Sequence, residues 1–124
     1  MDWDDYIEFG KKALHWGSNY RKSIRNYPVR SQLEPGHVYN SIPDLPPENP
    51  EKLDDIFEDF KTKIIPGITH WQHPRFFAYF PSNAAPASVF AEMLANTMGS
   101  QCMLWQTSPA ATELEEKIID WLRI

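Results

Sequence analysis

The 124-residue chain is short of several things at once: it has one cysteine, five glycines and no apolar run of membrane length. A lone Cys102 cannot close an internal disulfide, so folding rests on burial alone, as suits a reducing compartment such as the cytoplasm. The opening "MDWDDYIEFG" is acidic where a secretory leader is basic, and no apolar stretch approaches the roughly 18 residues of a membrane span. The expectation is therefore a cytoplasmic protein with no membrane partner. Basic charge is also scarce. Twelve Lys and Arg stand against 17 Asp and Glu, for a net charge of −5. Nucleic-acid affinity comes largely from clustered cations, so a nucleic-acid partner is not expected. The one basic cluster, Arg21, Lys22 and Arg25, reads as a solvated helix face balanced by Asp2, Asp4 and Asp5. No G-x-G-x-x-G, P-loop or G-x-S-x-G occurs, which removes a nucleotide cradle and a nucleophile elbow.

What the chain has in quantity is aromatic residues, 14%, and eleven prolines. Hydrophobic residues at 42% and charged residues at 23% give a globular composition. Helical periodicity runs from about residue 2 to 25 through Trp3, Tyr6, Ile7, Gly10, Ala13, Leu14, Gly17, Tyr20 and Ile24. Gly10 and Gly17 are seven apart and share the apolar face. That spacing fits either two tolerated glycines or a close helix–helix seam, such as one between subunits. Residues 27 to 50, "YPVRSQLEPGHVYNSIPDLPPENP", hold too many prolines for a regular element. Val29, Leu33, Val38, Ile42 and Leu45 nevertheless punctuate them, so the expectation is an extended strap lying on a larger surface.

A second helix is expected over about 50–65, with Asn49 as N-cap, Pro50 at its first position and Pro66-Gly67 as its end. Leu53, Ile56, Phe57, Phe60 and Ile64 form its apolar face. A third is expected from about Ala84 to Met98, burying Val89, Phe90, Met93, Leu94 and Met98, and stopped by Gly99. A fourth starts at Ser108-Pro109 and turns Leu114, Ile118, Trp121 and Leu122 inward. It reaches Ile124 without a stop signal, so the chain reads as part of something larger. The only run that alternates at all like a strand is "RFFAYF". The chain divides into residues 1–83, holding the helices, the strap and an aromatic pocket segment at 70–82, and residues 84–124.

That aromatic segment, "HWQHPRFFAYFPSNAAP", packs Trp71, Phe76, Phe77, Tyr79 and Phe80 onto an irregular backbone broken by Pro74 and Pro81. Such rings can either plug a core or present flat walls to a planar ligand. His70 and His73 form H-x-x-H but lack the further ligands that zinc needs, so no metal is expected. His15 and His37 read as solvated or structurally bonded. Cys102 has no base or helix start beside it to lower its pKa, and reads as structural. Ser82 reads as a hydrogen-bond donor at a pocket lip or as a helix cap.

"PGITHWQHPRFFAYFPS" and "WQTSPAATELEEKIIDWL", with "LEPGHV" and the I-P and L-P-P steps of the strap, resemble the group II pyridoxal-phosphate decarboxylases of the aromatic-L-amino-acid type. The resemblance runs from Trp3 to the last residue. It implies a mainly α chain, the N-terminal helical dimerisation segment of a PLP fold-type I (α/β) enzyme, stopping before the large domain. It further implies that Trp71, Tyr79, Phe80, Pro81 and Ser82 wall the substrate's aromatic ring, and that Gln101 and Met103 reach the partner subunit's pocket in a homodimer. Serine at 82 departs from the family's frequent threonine, and Cys102 from its glycine. The cofactor implied is pyridoxal 5'-phosphate, bound to a lysine, an aspartate and a histidine that lie beyond this chain. Lys11, Lys12, Lys22, Lys52, Lys61, Lys63 and Lys117 stand in no such context. The implied role is substrate recognition and dimerisation without catalysis by this chain alone, the substrate being an aromatic L-amino acid. The alternative is a non-catalytic helical interaction protein that partners a full-length decarboxylase.

Overall fold

The computed structural model describes residues 3–80 and 84–123. It is helical, with no strand among the described residues, and separates into two compact units that meet in sequence between residues 83 and 84.

The first unit opens with α1, Trp3–Ser23, whose first turn carries Asp4 and Asp5 and whose last carries Arg21 and Lys22. Both placements complement the helix dipole. The helix then tightens into a 3-10 turn, Ile24–Asn26, which buries Ile24. The strap is less irregular than its prolines suggest. A five-residue helix, α2, His37–Ser41, forms in the stretch between Pro35 and Pro43, after Gly36 turns the chain at φ 88°. Glycine alone adopts that left-handed angle without strain.

The next helix, α3, Leu53–Asp59, begins three residues later than the Pro50 expected, and Asn49 does not cap it. Lys52 is still extended, and its carbonyl accepts the first helical bonds from the amides of Asp55 and Ile56. This register puts Asp54 and Asp55 in the first turn, where the helix dipole stabilises them. After Asp59 the helix widens to a π turn, Phe60–Ile64, and closes with a 3-10 turn, Ile65–Gly67. Two features explain the change. Thr62 Oγ1 bonds back to the Glu58 carbonyl, which bends helices, and Pro66 has no amide to continue one.

α1 lies against α3 through rings. Phe9 meets Phe57 edge-on at 5.4 Å, and Trp16 meets Phe57 at 6.1 Å and Phe60 at 5.0 Å. The strap closes over the end of this pair. Ser31 Oγ donates to the Pro66 carbonyl, and a Cβ placed on Gly67 would come 2.6 Å from Val38 Cγ2. Any side chain there would force Val38 to shift.

The second unit holds α4, Pro86–Met98, and α5, Pro109–Leu122. α4 starts on a proline and ends on Gly99 at φ 60°. Ser108 stands at the N-cap of α5, but its side chain makes no capping bond. Instead its carbonyl accepts from the Thr112 amide and hydroxyl. The expected inward faces are open. Val89, Phe90, Met93, Leu94 and Met98 on α4, and Leu114, Ile118, Trp121 and Leu122 on α5, are all exposed. Two helices alone have nothing to close their apolar stripes against.

Candidate functional site

The aromatic segment inverts the usual order of burial. Its two histidines are inside, His70 at 2% exposure and His73 at 6%, while Tyr79 and Phe80 stand 82% and 97% exposed. Trp71 and Phe77 are exposed as well, and Phe76 is half-buried. "RFFAYF" makes no strand; the stretch from Trp71 to Arg75 is a run of turns, and Tyr79 takes φ 53°. A left-handed angle is uncommon for a bulky side chain.

Two consecutive turns build the segment. The His73 amide donates to the His70 carbonyl at 2.8 Å, and the Phe76 amide donates to the His73 carbonyl at 2.9 Å. His73 Nδ1 also accepts the Arg75 amide at 3.0 Å. The first turn is tied to the rest of the unit by the His70 amide, which donates to the Val29 carbonyl, and by Arg21, whose guanidinium reaches Gln72 Oε1. Tyr20 Oη lies 2.7 Å from His70 Nδ1, and the Tyr27 ring lies 4.8 Å from the imidazole. Burial, reinforced by the neighbouring His73, holds the His70 pKa below its ordinary value and keeps the ring neutral. In the tautomer that carries its proton on Nε2, Nδ1 accepts the Tyr20 hydroxyl proton. Burial, and then Tyr27, raise the Tyr20 pKa.

From this base the segment displays a small aromatic wall. Trp71 lies 4.7 Å from Phe76 and stacks with Tyr79 at 5.8 Å and 24°. So Trp71 and Tyr79, two of the expected substrate contacts, stand together. Phe80 follows them in the chain as the most exposed ring, and Pro81 and Ser82 lie outside the described residues. Gln101 and Met103 belong to the second unit, on the exposed connection between α4 and α5. In that connection Trp105 Nε1 donates to Glu113 Oε1, and the Cys102 thiol is free and exposed.

Sequence reasoning missed the histidines. H-x-x-H raises the question of a metal, and among the described residues no group of three metal-ligating side chains exists. The signal it carried was the three-residue spacing itself, which sets the two imidazoles at the starts of successive turns.

No described lysine stands in an enclosed pocket. Lys11 pairs with Glu8, Lys12 with Asp54, Lys61 with Glu58 and Lys63 with Asp59, while Lys22, Lys52 and Lys117 are exposed. No described helix is long and apolar enough to cross a membrane.

Nearly the whole chain is similar to known proteins. The chain is 44% identical over 122 residues to phenylacetaldehyde synthase of Arabidopsis thaliana, covering 98% of this chain and 25% of that protein. It is 45% identical over 121 residues to tryptophan decarboxylase 2 of Oryza sativa subsp. japonica, covering 98% and 24%. The crystal structure of Catharanthus roseus tryptophan decarboxylase in complex with L-tryptophan superposes with a TM-score of 0.92 at 38% identity, covering 98% of this chain and 26% of that one. The chain thus spans about a quarter of the length of the relatives it matches. Residues 35–124 match the pyridoxal-dependent decarboxylase conserved domain, and the chain belongs to that family.

Proposed function

We propose that this chain is the substrate-recognition and dimerisation part of a pyridoxal-phosphate-dependent decarboxylase acting on an aromatic L-amino acid. The observation that carries the reading is the wall of Trp71, Phe76 and Tyr79: rings offered outward from a backbone pinned by two buried histidines. Exposed aromatic faces on a rigid base suit a planar side chain, because stacking needs flat surface at a fixed angle. Phe80, Pro81 and Ser82 would continue that wall, and Gln101 and Met103 would contribute from the second unit.

The cofactor of the complete enzyme is pyridoxal 5'-phosphate. This chain's residues do not fit its anchorage, since every described lysine is ion-paired on a surface or exposed. An anchoring amine needs a desolvated setting, and none of these lysines is buried. The 124-residue chain therefore binds and orients substrate without performing the chemistry.

The homodimer contact belongs on α1. Trp3, Ile7, Gly10, Leu14 and Gly17 repeat at alternating intervals of four and three, a stripe separate from the Phe9, Lys12 and Trp16 side that meets α3. Trp3, Ile7 and Leu14 are exposed, and a Cβ at Gly10 or Gly17 would meet nothing within 4 Å. A second copy of the helix can approach closely along such a stripe. A cytoplasmic setting fits the free thiol of Cys102. The competing reading, a non-catalytic interaction protein, has no observation of its own in its favour.

The test replaces the matching quarter of the rice tryptophan decarboxylase with residues 3–123. The hybrid is expected to release CO2 from an aromatic amino acid in the presence of the cofactor, and Trp71→Ala to raise its KM. The 124-residue chain assayed alone should release none. A folded hybrid without activity, or CO2 release by the chain alone, overturns the reading.

A further inference from the structure

His70 is the most buried side chain among the described residues, deeper than any apolar group. Nothing in the recognition of an aromatic ring requires an imidazole at that depth, and a leucine would be cheaper to bury. What the imidazole supplies is a fixed acceptor. Tyr20 of α1 donates to Nδ1 at 2.7 Å, and the Tyr20 and Tyr27 rings flank the imidazole at 5.6 and 4.8 Å. The His70 carbonyl starts the first of the two turns, and the second ends at Phe76. Trp71 is bonded directly to His70. An unbroken line of contacts thus runs from Tyr20, through His70 and His73, to the rings of Trp71, Phe76 and Tyr79.

The charges around His70 do not welcome another proton. It lines an open groove of about 420 Å³ with Trp16, Tyr27, Gln32, Leu33, Ile65 and Lys61, and none of the described lining residues is a carboxylate. The titratable and charged groups nearest it are Tyr20 from α1, Tyr27 from the turn that follows, Lys61 from the π turn, and His73 from its own segment, with Arg21 bonded to nearby Gln72. Lys61 carries its own partner, Glu58. An imidazolium here would meet like charge and no counter-ion within the groove.

We propose that His70 is a positioning residue for substrate recognition: Tyr20 holds its neutral ring, and the two turns that begin at it set where Trp71, Phe76 and Tyr79 stand. Gain of a proton at His70 then loosens the wall, so affinity for the aromatic substrate falls with acidity while the chemical step is left alone. The proposal rests on the reading of Trp71 and Tyr79 as the substrate wall. The low pKa direction of His70 accords with it, as the buried ring is already biased to the neutral form.

The hybrid enzyme separates the possibilities. Tyr20→Phe removes the donor and His70→Leu the acceptor. Each is expected to raise KM about tenfold with kcat within about twofold, the size of one lost hydrogen bond felt at binding. In the unsubstituted hybrid KM is expected to climb as pH falls from about 6.5 toward 5, because burial holds His70 below the ordinary imidazole value. His70→Asn places an amide oxygen near the position of Nδ1 and cannot titrate. It should keep KM close to the parent value at the higher pH and flatten the climb. A fluorine label on Trp71 should report the same transition as a shift in its NMR signal.

If Tyr20→Phe and His70→Leu leave KM and its pH profile unchanged while Trp71→Ala raises KM, the wall stands and the positioning role is wrong. If Trp71→Ala itself has no effect, the wall reading fails and this inference with it. A fall in kcat at constant KM marks a merely structural histidine and also overturns the proposal. Should His70→Leu fail to fold, the profile of the unsubstituted hybrid decides, because a flat KM across that range is incompatible with it.

Discussion

In the first unit one side of α1, through Phe9 and Trp16, meets Phe57 and Phe60 ring to ring, and Ile24 and Ile65 are buried, while the stripe of Trp3, Ile7 and Leu14 stays exposed. In the second, α4 and α5 carry stripes of the same kind, Val89 to Met98 and Leu114 to Leu122, and bury none of them. The two patterns are equally amphipathic. What differs is the presence of a partner, and the difference teaches that periodicity declares a face to be covered without saying what covers it. For the Phe9 and Trp16 side of α1 the cover is aromatic and lies within the chain, whereas the Trp3 stripe is as open as the stripes of α4 and α5.

The comparison breaks most sharply on substitution of a packed ring. Phe57 touches Phe9, Trp16 and Phe60, so Phe57→Ala is expected to destabilise the first unit by about 2–3 kcal/mol, short of the full range for a buried ring because Phe57 is half-buried. Leu114→Ala in α5 should change the stability of the isolated chain by under about 0.5 kcal/mol, as an exposed side chain has little burial to lose. Urea unfolding followed by far-UV circular dichroism measures both. In the hybrid enzyme the Leu114 variant should become costly if the rest of the enzyme covers α5.

The glycines sharpen the contrast. Gly67→Ala drives a methyl to 2.6 Å from Val38 Cγ2, and should cost about 2 kcal/mol as an overpacked contact. Val38→Ala on the same background should recover most of it, since the two positions share one contact. Gly10→Ala has open space around it and sits mid-helix, so it should stabilise the isolated chain by up to about 1 kcal/mol. If Gly10 lies in a subunit seam, the same change should shift the dimer toward monomer, read by sedimentation.

A gentler effect comes from acid. The unfolded chain takes up a proton at His70 near the ordinary imidazole value of 6.5, whereas the folded chain resists it because the ring is buried. The unfolded state therefore binds more protons in that window. Stability is full above about pH 6.5 and is lost as pH falls toward the folded value. His70→Asn should flatten this part of the pH–stability curve. The second unit, which has no buried histidine among its described residues, should show no such dependence.

The helices were legible because their signals are local. Asp4 and Asp5 at a start, Pro86 and Pro109 at first positions and Gly99 at an end each act within one turn. The start of α3 was misplaced by Asn49-Pro50, a good local signal overruled by the placement of Asp54 and Asp55 against the helix dipole. The turn in the strap was hidden by proline density, although the stretch between Pro35 and Pro43 holds none. At the site, the rings were legible as a group through composition. The burial of His70 was not, because it depends on Tyr20, fifty positions earlier, and nothing in H-x-x-H announces a hydroxyl that distant.

The smallest expected effect concerns an ion pair that links distant parts of the first unit. Lys12 Nζ reaches both oxygens of Asp54, at 2.6 and 2.8 Å, from α1 to the start of α3. The geometry is close, but both side chains are more than half exposed, at 53% and 64%. Water and salt screen such a pair, and holding a lysine in one rotamer costs entropy. Lys12→Ala should therefore lower stability by only about 0.5 kcal/mol, and the loss should shrink further as salt is raised. A double-mutant cycle with Asp54→Ala measures the coupling itself. A coupling as large as the Phe57 effect would mean that charge, rather than the ring contacts beside it, fixes α1 on α3. The contrast between the units would then lie in their ion pairs as much as in their rings.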